Sequence, residues 1–387
     1  MSNDLDKNKK VPNVPNLRFN SYGESRISFK LKELSKIYDG THQTPDYKKS
    51  GIRFVSVEDI NDLYKSNKFI TKEAYLSEFK NKPEINDILM TRIGDIGTPT
   101  IVSKEQPLAY YVSLALIKPL NIDSFFLKYL IESKSFQHEL WKKTIHVAFP
   151  KKINKEQIGE CICTIPTKDE QTKIGNILNK IDERIVTQNK IIDNLYSQKK
   201  YLKSIIFNNY IPNHKIGDFL EEYTEKNVND YEPVSVGKYG IRKRTEIFSR
   251  ELSEDYSKNK VIHKDSLTIG MGTKKLDIAI LFEDYHYCVS PAYTTYKIKN
   301  IDSYYFNELL DSLNYLLSLR YMISGARQGK SVNKKELMNH KIFVHTIEQQ
   351  SVIKSLLKSI DNKIDNETKL LEKYSQQKNY LLDNLFI

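Results

Sequence analysis

Cysteine is scarce in this chain. Cys161, Cys163 and Cys288 are too few and too scattered for a disulfide framework, and no C-x-x-C pair is present to hold zinc. A reducing compartment is implied, and the expected location is the cytoplasm. The eight histidines are dispersed and no H-E-x-x-H pair occurs, which argues against a catalytic metal. No apolar run approaches the ~18 residues that cross a bilayer and no leader-like segment opens the chain, so neither a membrane nor secretion is expected. Apolar and basic residues, in contrast, are plentiful. A hydrophobic content of 39% is enough to build packed cores, and 387 residues exceed one ordinary core, so two or more domains are expected. The formal net charge of +11 favours a polyanion as partner, although a generally Lys-rich composition gives the same number.

The chain is written twice. Residues 165–207 and 345–387 repeat one another, 166–207 falling without a gap on 345–386, Gln171 on Gln350, Ile181-Asp182 on Ile360-Asp361, and Gln198-Lys199 on Gln377-Lys378, at a constant offset (350 − 171 = 179). In the first copy apolar residues recur three and four apart through Ile174, Leu178, Ile181, Ile185, Ile192, Leu195, Leu202 and Ile206. The second repeats this as Ile353, Leu357, Ile360, Ile364, Leu371, Tyr374, Leu381 and Leu385. Heptad spacing of this kind predicts two long helices, each a rod of roughly 60 Å, burying a narrow seam. A lone helix would leave its seam wet, so the economical arrangement pairs the two copies; each packing separately on its own domain is the alternative. Both seams turn polar at matched positions, Gln188 with Glu367 and Lys199 with Lys378. Polar seam residues set register or orientation, or face a third partner.

Ahead of each helix lies a globular stretch. Residues 1–25 read as a mobile arm, 26–164 as a first domain, 165–212 as the first long helix, 213–344 as a second domain and 345–387 as the second helix. Residues 29–40 suggest a short helix stopped by Gly40, and 41–51 a loop. A strand is expected over 52–60, two strands about a Gly-rich turn over 85–103, another strand over 110–120, and one helix over 124–143. The 179 offset also relates Val55-Ser56-Val57 to Val234-Ser235-Val236, Asn121-Ile122-Asp123 to Asn300-Ile301-Asp302, and Asn154-Lys155 to Asn333-Lys334. Between these landmarks the halves diverge, HQTPDYKKS having no counterpart in GIRKRTEIF. A shared frame with different loops is what two modules show when they do one task on two targets. The fold class expected is α+β, with two tandem mixed domains separated by two long helices packed as an antiparallel coiled coil.

At these residues the chain resembles the specificity subunit of type I restriction-modification systems, from about Val14 onward. The marks are the P-x-x-x-E-Q-x-x-I run from Pro166 to Ile174 with Glu170-Gln171, the I-D-x-x-I continuation, the K-x-x-L end at Lys199 to Leu202 and Phe207, and the opening LKELSKIYDG with FVSVEDI. The second copy departs where its helix begins, lacking the proline and having Gln349 in place of Glu. The resemblance implies that each globular unit is a target-recognition domain reading one half of a split double-stranded DNA site. It also implies that the helices form a spacer docking two modification subunits, and that motor-nuclease restriction subunits join that core. S-adenosylmethionine, ATP and Mg would then sit on those partners, with no cofactor in this chain.

Absent motifs fit a reader that is not a catalyst. No Asn-Pro-Pro-aromatic methylation motif is present to hold a flipped adenine. GARQGKS at 325–331 falls one residue short of a P-loop and follows a helical pattern where a P-loop follows a strand. Glu78-Phe79-Lys80 has the E-x-K of some nucleases but lacks an acidic partner on a plausible upstream strand. For DNA contact, Arg suits guanine edges, Gln adenine edges and Lys phosphates. Candidates in the first domain are His42, Gln43, Lys48 and Lys49 in the first loop, Thr91 and Arg92 at the strand turn, and Lys151 and Lys152 after the helix. In the second they are Arg242, Lys243 and Arg244, then Lys274 and Lys275, then Arg327, Gln328 and Lys330. For an isolated lysine a solvated surface charge is the simpler reading. The rival for the whole chain is a protein adaptor whose helices join two protein-binding domains; steep salt dependence of DNA affinity separates the two.

Overall fold

The computed structural model describes residues 14–208, 210–237, 240–248, 255–270, 278–312, 323–324 and 331–387. The chain forms two compact units, Met1–Asn189 with Lys369–Ile387, and Lys190–Thr368. This division differs from the expected one, in which the helices stand apart from the globular domains. The reason is packing: Ile174, Leu178, Leu382 and Leu385 belong to the same buried cluster as Phe126 and Leu130 of the first globular repeat. The seam of the helices is thus continuous with a domain core.

The first unit opens with strand β1 (Ile27–Lys30), a single helical turn α1 (Leu31–Leu34) and strand β2 (Ser35–Asp39). The helix expected over 29–40 is therefore only one turn long. Leu31 and Leu34 are buried by that turn, after which Lys36-Ile37-Tyr38 pair with a neighbouring strand. There follow β3 (Ile52–Val55), β4 (Phe69–Ile70), α2 (Lys72–Glu78), β5 (Ile88–Ile93), β6 (Asp95–Ile101), β7 (Leu108–Tyr110) and β8 (Leu114–Pro119). The strand expected over 52–60 ends at Val55, because Ser56 opens a 3-10 turn with its amide and hydroxyl donating to Asp59. The strand expected over 110–120 is two strands in different sheets. Next come α3 (Ser124–Glu132), α4 (Lys134–Lys143), α5 (Lys155–Gly159), β9 (Ile162–Ile165) and the long α6 (Lys168–Phe207). The single helix expected over 124–143 breaks at buried Ser133, whose hydroxyl donates to the Leu130 carbonyl at 2.6 Å and accepts from the Phe136 amide, ending α3 and capping α4.

The main sheet is antiparallel in the order β2-β8-β5-β6. Its central strands are apolar on both faces. Ile88, Met90, Ala115 and Ile117 face the core that contains α3 and α4. Leu89, Leu114 and Leu116 point the other way, onto Val55 and Tyr110 of a second sheet, β4-β3-β7, in which β3 and β7 are parallel. Alternation along a strand with both faces covered is what turns a strand into a continuous apolar run.

The second unit contains β10 (His214–Lys215), β11 (Leu220–Tyr223), β12 (Val234–Gly237), β13 (Gly240–Lys243), α7 (Arg244–Ile247), β14 (Lys260–Ile262), β15 (Ser266–Ile269), β16 (Ile278–Ile280), β17 (Tyr287–Val289) and β18 (Thr294–Ile298). These are followed by α8 (Ser303–Leu310), β19 (Ile323–Ser324), β20 (Ser331–Val332), α9 (Lys334–Asn339), β21 (Lys341–Ile342) and α10 (Ile347–Leu385). Its main sheet, β11-β18-β15-β16, repeats the first in order and in register: Thr268 opposes Thr295 where Leu89 opposes Leu116.

The start of each long helix is built the same way. Asp123 caps α3 through the Phe126 amide (2.9 Å), while Gln171 accepts from the Asp123 amide (3.0 Å) and donates to the Pro166 carbonyl (2.9 Å). In the other unit Asp302 caps α8, and Gln350 accepts from the Asp302 amide (3.1 Å) and donates to the His345 carbonyl (2.9 Å). The missing proline of the second copy does not change this lock. The Glu-to-Gln change does have a structural correlate. Glu170 is fully buried between Arg18 (2.7 Å) and Arg26 (3.0 Å), and Arg26 also donates to the Leu385 carbonyl (2.6 Å). Residues 14–25, expected within a mobile arm, are therefore fastened to both long helices; the Leu17 amide donates to the Asn384 carbonyl at 2.9 Å. Gln349, in the place of Glu170, accepts from the Thr346 amide instead.

Within each unit the two helix segments run antiparallel. In the first, the Lys378 ammonium meets Asp182 (2.7 Å) and Glu132 (2.9 Å), and the Arg184 guanidinium lies over the Tyr374 ring. In the second, Lys199 meets Asp361 (2.6 Å) and Glu308 (3.0 Å), and Phe207 shares a core with Ile353 and Leu357. The two polar seam lysines thus take the same partner, the aspartate of the repeated Ile-Asp pair. The remaining seam positions, among them Ile181, Ile185, Gln188, Ile192, Leu195 and Leu202 in α6 and Ile360, Ile364, Glu367, Leu371 and Leu381 in α10, are all buried or half-buried.

Candidate nucleic-acid interface

Arg92 organises the candidate residues of the first unit, though not in the role expected of it. The residue is 6% exposed; its Nε donates to the Ile153 carbonyl at 3.1 Å and Nη1 holds the Asp39 carboxylate. Three segments meet there. Asp39 ends β2, where the loop 40–51 begins; Arg92 lies on β5 just before the hairpin turn; Ile153 closes the loop that follows α4. Backbone bonds tighten the third contact, with the Gly94 amide donating to the Lys151 carbonyl (2.8 Å), and the Ile153 amide to the Arg92 carbonyl (3.0 Å). Gly94 has φ of +82°, the left-handed conformation that lets this turn reverse without a side-chain clash. Thr91 is fully buried, its hydroxyl accepting from the Thr98 amide at 2.9 Å. Thr91 and Arg92 are therefore corrected from base readers to groups committed to the fold.

The loops that Arg92 ties together carry the other candidates outward. His42, Gln43, Lys48 and Lys49 are exposed on the first loop, although Lys48 is partly neutralised by an ion pair with Asp46. Lys151 and Lys152 are exposed at the end of the third loop. That loop is closed by the Ile145 amide donating to the Lys152 carbonyl (2.8 Å). At its tip stand side chains that sequence pattern does not single out: Val147 and Phe149 are 97% and 104% exposed, and Trp141 is 61% exposed. Trp141 stacks on His138 and lies 5.0 Å from the His146 ring, whose Nε2 hydrogen-bonds the Trp141 carbonyl. The available signal was an apolar Val-Ala-Phe triplet set among basic residues, ordinarily read as packing.

In the second unit β13 and the start of α7 present Arg242, Lys243 and Arg244 with different degrees of freedom. Arg242 is exposed, with Glu246 3.8 Å away. Lys243 pairs with Glu232 at 2.8 Å, and that carboxylate holds the ammonium above its ordinary pKa. Arg244 is half-buried, its guanidinium over the Tyr256 ring. Lys274, Lys275, Arg327, Gln328 and Lys330 lie outside the described residues.

Among the described residues no group of three or more His, Cys, Asp and Glu side chains could hold a metal ion, and no helix is long and apolar enough to cross a membrane. The three cysteines are buried and form no disulfide; burial pushes the Cys161 thiol up to about 12 and raises Cys163 and Cys288 as well, so none is poised as a thiolate nucleophile.

Comparison with known proteins agrees with the duplication. The family model for the type I restriction modification DNA specificity domain matches twice, over residues 27–196 and 208–374. A curated relative, the "Putative type I restriction enzyme MjaX specificity subunit" of Methanocaldococcus jannaschii, is 23% identical over 416 residues, covering 96% of this chain and 95% of its own. Among solved structures, the S subunit of a type I restriction-modification system from M. genitalium superposes with a TM-score of 0.63 at 15% identity, over 97% of this chain and 99% of that one. A chain solved in a study of complex assembly and conformational transition of the type I R-M system gives 0.53 at 11% identity, over 92% and 96%. The chain belongs to the family of type I restriction modification DNA specificity domains, carries two target-recognition domains of that kind, and is the specificity component, not the catalytic one, of such a system.

Proposed function

We propose that each globular repeat reads one half of a bipartite, asymmetric double-stranded DNA site, and that the long helices fix the distance between the halves and dock two modification subunits. One observation carries this reading: the same frame is built twice, with capped helix, glutamine lock, four-stranded sheet in matched register and lysine-aspartate tie, while the outer loops differ. A frame kept constant under changed loops suits one docking geometry serving two different sequences.

The proposed docking surfaces have residue-level support. Tyr201 and Tyr380 occupy equivalent positions in the two helices and are 67% and 60% exposed; Ile191 and Leu370, likewise equivalent, are also exposed. Apolar side chains left outward at matched places are those a repeated partner would cover. Phosphate contacts come from Lys48, Lys49, Lys151 and Lys152, and base edges are met by His42 and Gln43, with Arg242 serving on the second domain. S-adenosylmethionine and the adenine-methylating chemistry belong to the modification subunits, and ATP and Mg to motor-nuclease subunits that join the core. The test is to purify the chain together with its methyltransferase and follow binding to duplex DNA as salt is raised. A steep loss of affinity with salt, together with preference for one sequence, is expected; salt-indifferent binding, or none, contradicts the reading.

A further inference from the structure

Building on that reading, we infer that Val147 and Phe149 form an apolar tip that contacts thymine C5-methyl groups in the major groove of the half-site read by the first domain. Two large apolar side chains standing fully in water are costly unless something covers them. The loop that presents them is held in shape by the Ile145-to-Lys152 and Gly94-to-Lys151 backbone bonds. Its root is tied through Ile153 to Arg92. The surroundings say what the cover is. Lys151 and Lys152 follow the tip after Pro150 and are exposed, while Lys142 on the preceding helix is exposed but paired with Glu139 at 3.0 Å, so the apolar pair is flanked by two cations that match a polyanion better than an apolar protein face. On the major-groove edges of DNA the thymine methyl is the apolar group, and Val and Phe are apolar side chains without a hydrogen-bonding atom to read anything else.

The lysines and the apolar tip contribute differently, and this makes the inference testable. A lysine on a phosphate releases counterions and steepens the salt dependence of binding; an apolar contact to a methyl group does not. The experiment uses the complex of this chain with its modification subunit and a duplex carrying the site found by methylation mapping. Each thymine is replaced in turn by deoxyuridine, which removes only the methyl group. Wild type is expected to lose about fourfold in affinity, the worth of one buried methyl group, at one or more thymines confined to one half of the site. In the double variant Val147→Ser with Phe149→Ser, affinity for the intact site falls about tenfold or more, on the scale of two lost apolar contacts. Its salt slope is unchanged, and the deoxyuridine effect at those thymines disappears. Lys151→Gln with Lys152→Gln should instead lower the salt slope by roughly 2 and keep the deoxyuridine effect. The inference is overturned if wild type tolerates deoxyuridine at every position, if the sensitive thymines fall in both halves, or if the double variant keeps wild-type affinity and sensitivity. If the wild-type complex shows no sequence preference at all, the half-site reading itself fails, which is a separate result.

Discussion

Arg92 shows how a residue type can be right and its role wrong. A lone arginine beside a Gly-rich turn has the chemistry of a guanine reader, and nothing in the sequence says that Asp39, 53 residues away in the chain, and the Ile153 carbonyl take up its donors. Burial is a tertiary fact, invisible to spacing. Arg92→Met is expected to lower unfolding free energy by roughly 1.5–3 kcal/mol, the usual worth of hydrogen bonds to a charged group. It is also expected to reduce specific DNA affinity more than non-specific affinity, since three loops lose their common tie; denaturant unfolding and competition binding measure the two effects. Gly175 makes a second residue-scale test. A Cβ there would lie 2.8 Å from the Phe126 amide nitrogen and 3.0 Å from Phe125 Cβ. Gly175→Ala should therefore destabilise by about 1–3 kcal/mol through overpacking, although helix propensity alone favours alanine by about 1 kcal/mol. At the equivalent place in the second copy Lys354 bonds Asp302 at 2.6 Å on a partly exposed surface. Lys354→Ala should cost under about 1 kcal/mol.

The long helices, expected over 165–212 and 345–387 and found at Lys168–Phe207 and Ile347–Leu385, were legible to within a few residues at each end, because a heptad over about forty positions overrides local ambiguity. Short elements were not: the break at Ser133 and the one-turn α1 depend on a buried hydroxyl and on sheet pairing that no local pattern announces. The repeated polar seam positions were visible as a pattern, and the structure supplies their cause in Lys199 and Lys378. Burial alone would lower the Lys378 pKa, but Glu132 and Asp182 outweigh it and the net shift is upward; Lys199 is raised in the same manner beside Asp361 and Glu308. For Asp182 burial would raise the pKa, and Lys128 and Lys378 reverse this to a net lowering. The signs give a pH window. A depressed carboxylate stabilises the fold above the ordinary Asp value near ~4 and loses that contribution as pH falls further. A raised lysine keeps its contribution below the ordinary value near ~10.4 and loses it as pH climbs beyond. Thermal unfolding should accordingly be insensitive to these groups from about pH 5 to 9 and weaken below about pH 4. Lys378→Met leaves Asp182 and Glu132 sharing Lys128 (2.6 and 2.9 Å) and should cost about 1.5–3 kcal/mol, the usual worth of hydrogen bonds to a charged group. Adding Asp182→Asn should recover part of that loss.

At the scale of the whole chain, the duplication was legible because a constant offset survives drift in the loops. The assignment of helix halves to units was not, since it depends on seam residues such as Ile174 and Leu385 joining a globular core. The duplication makes an expectation of its own. A fragment ending near Pro212 keeps one reader and the seam from Ile174 to Ile206, and two such fragments can pair with Lys199 of each taking the place of Lys378 on Asp182 of the other. Two identical readers related by a two-fold axis would then specify a split palindrome. A soluble, dimeric fragment that still directs methylation of an asymmetric motif would contradict the assignment of one half-site to each repeat. The most direct measurement is made on the intact chain, co-expressed with its methyltransferase, with methylated adenines mapped by long-read sequencing. The expected result is one motif of two unlike half-sites separated by a fixed unspecified gap, with one methylated adenine in each half. A short, continuous palindrome would contradict the account.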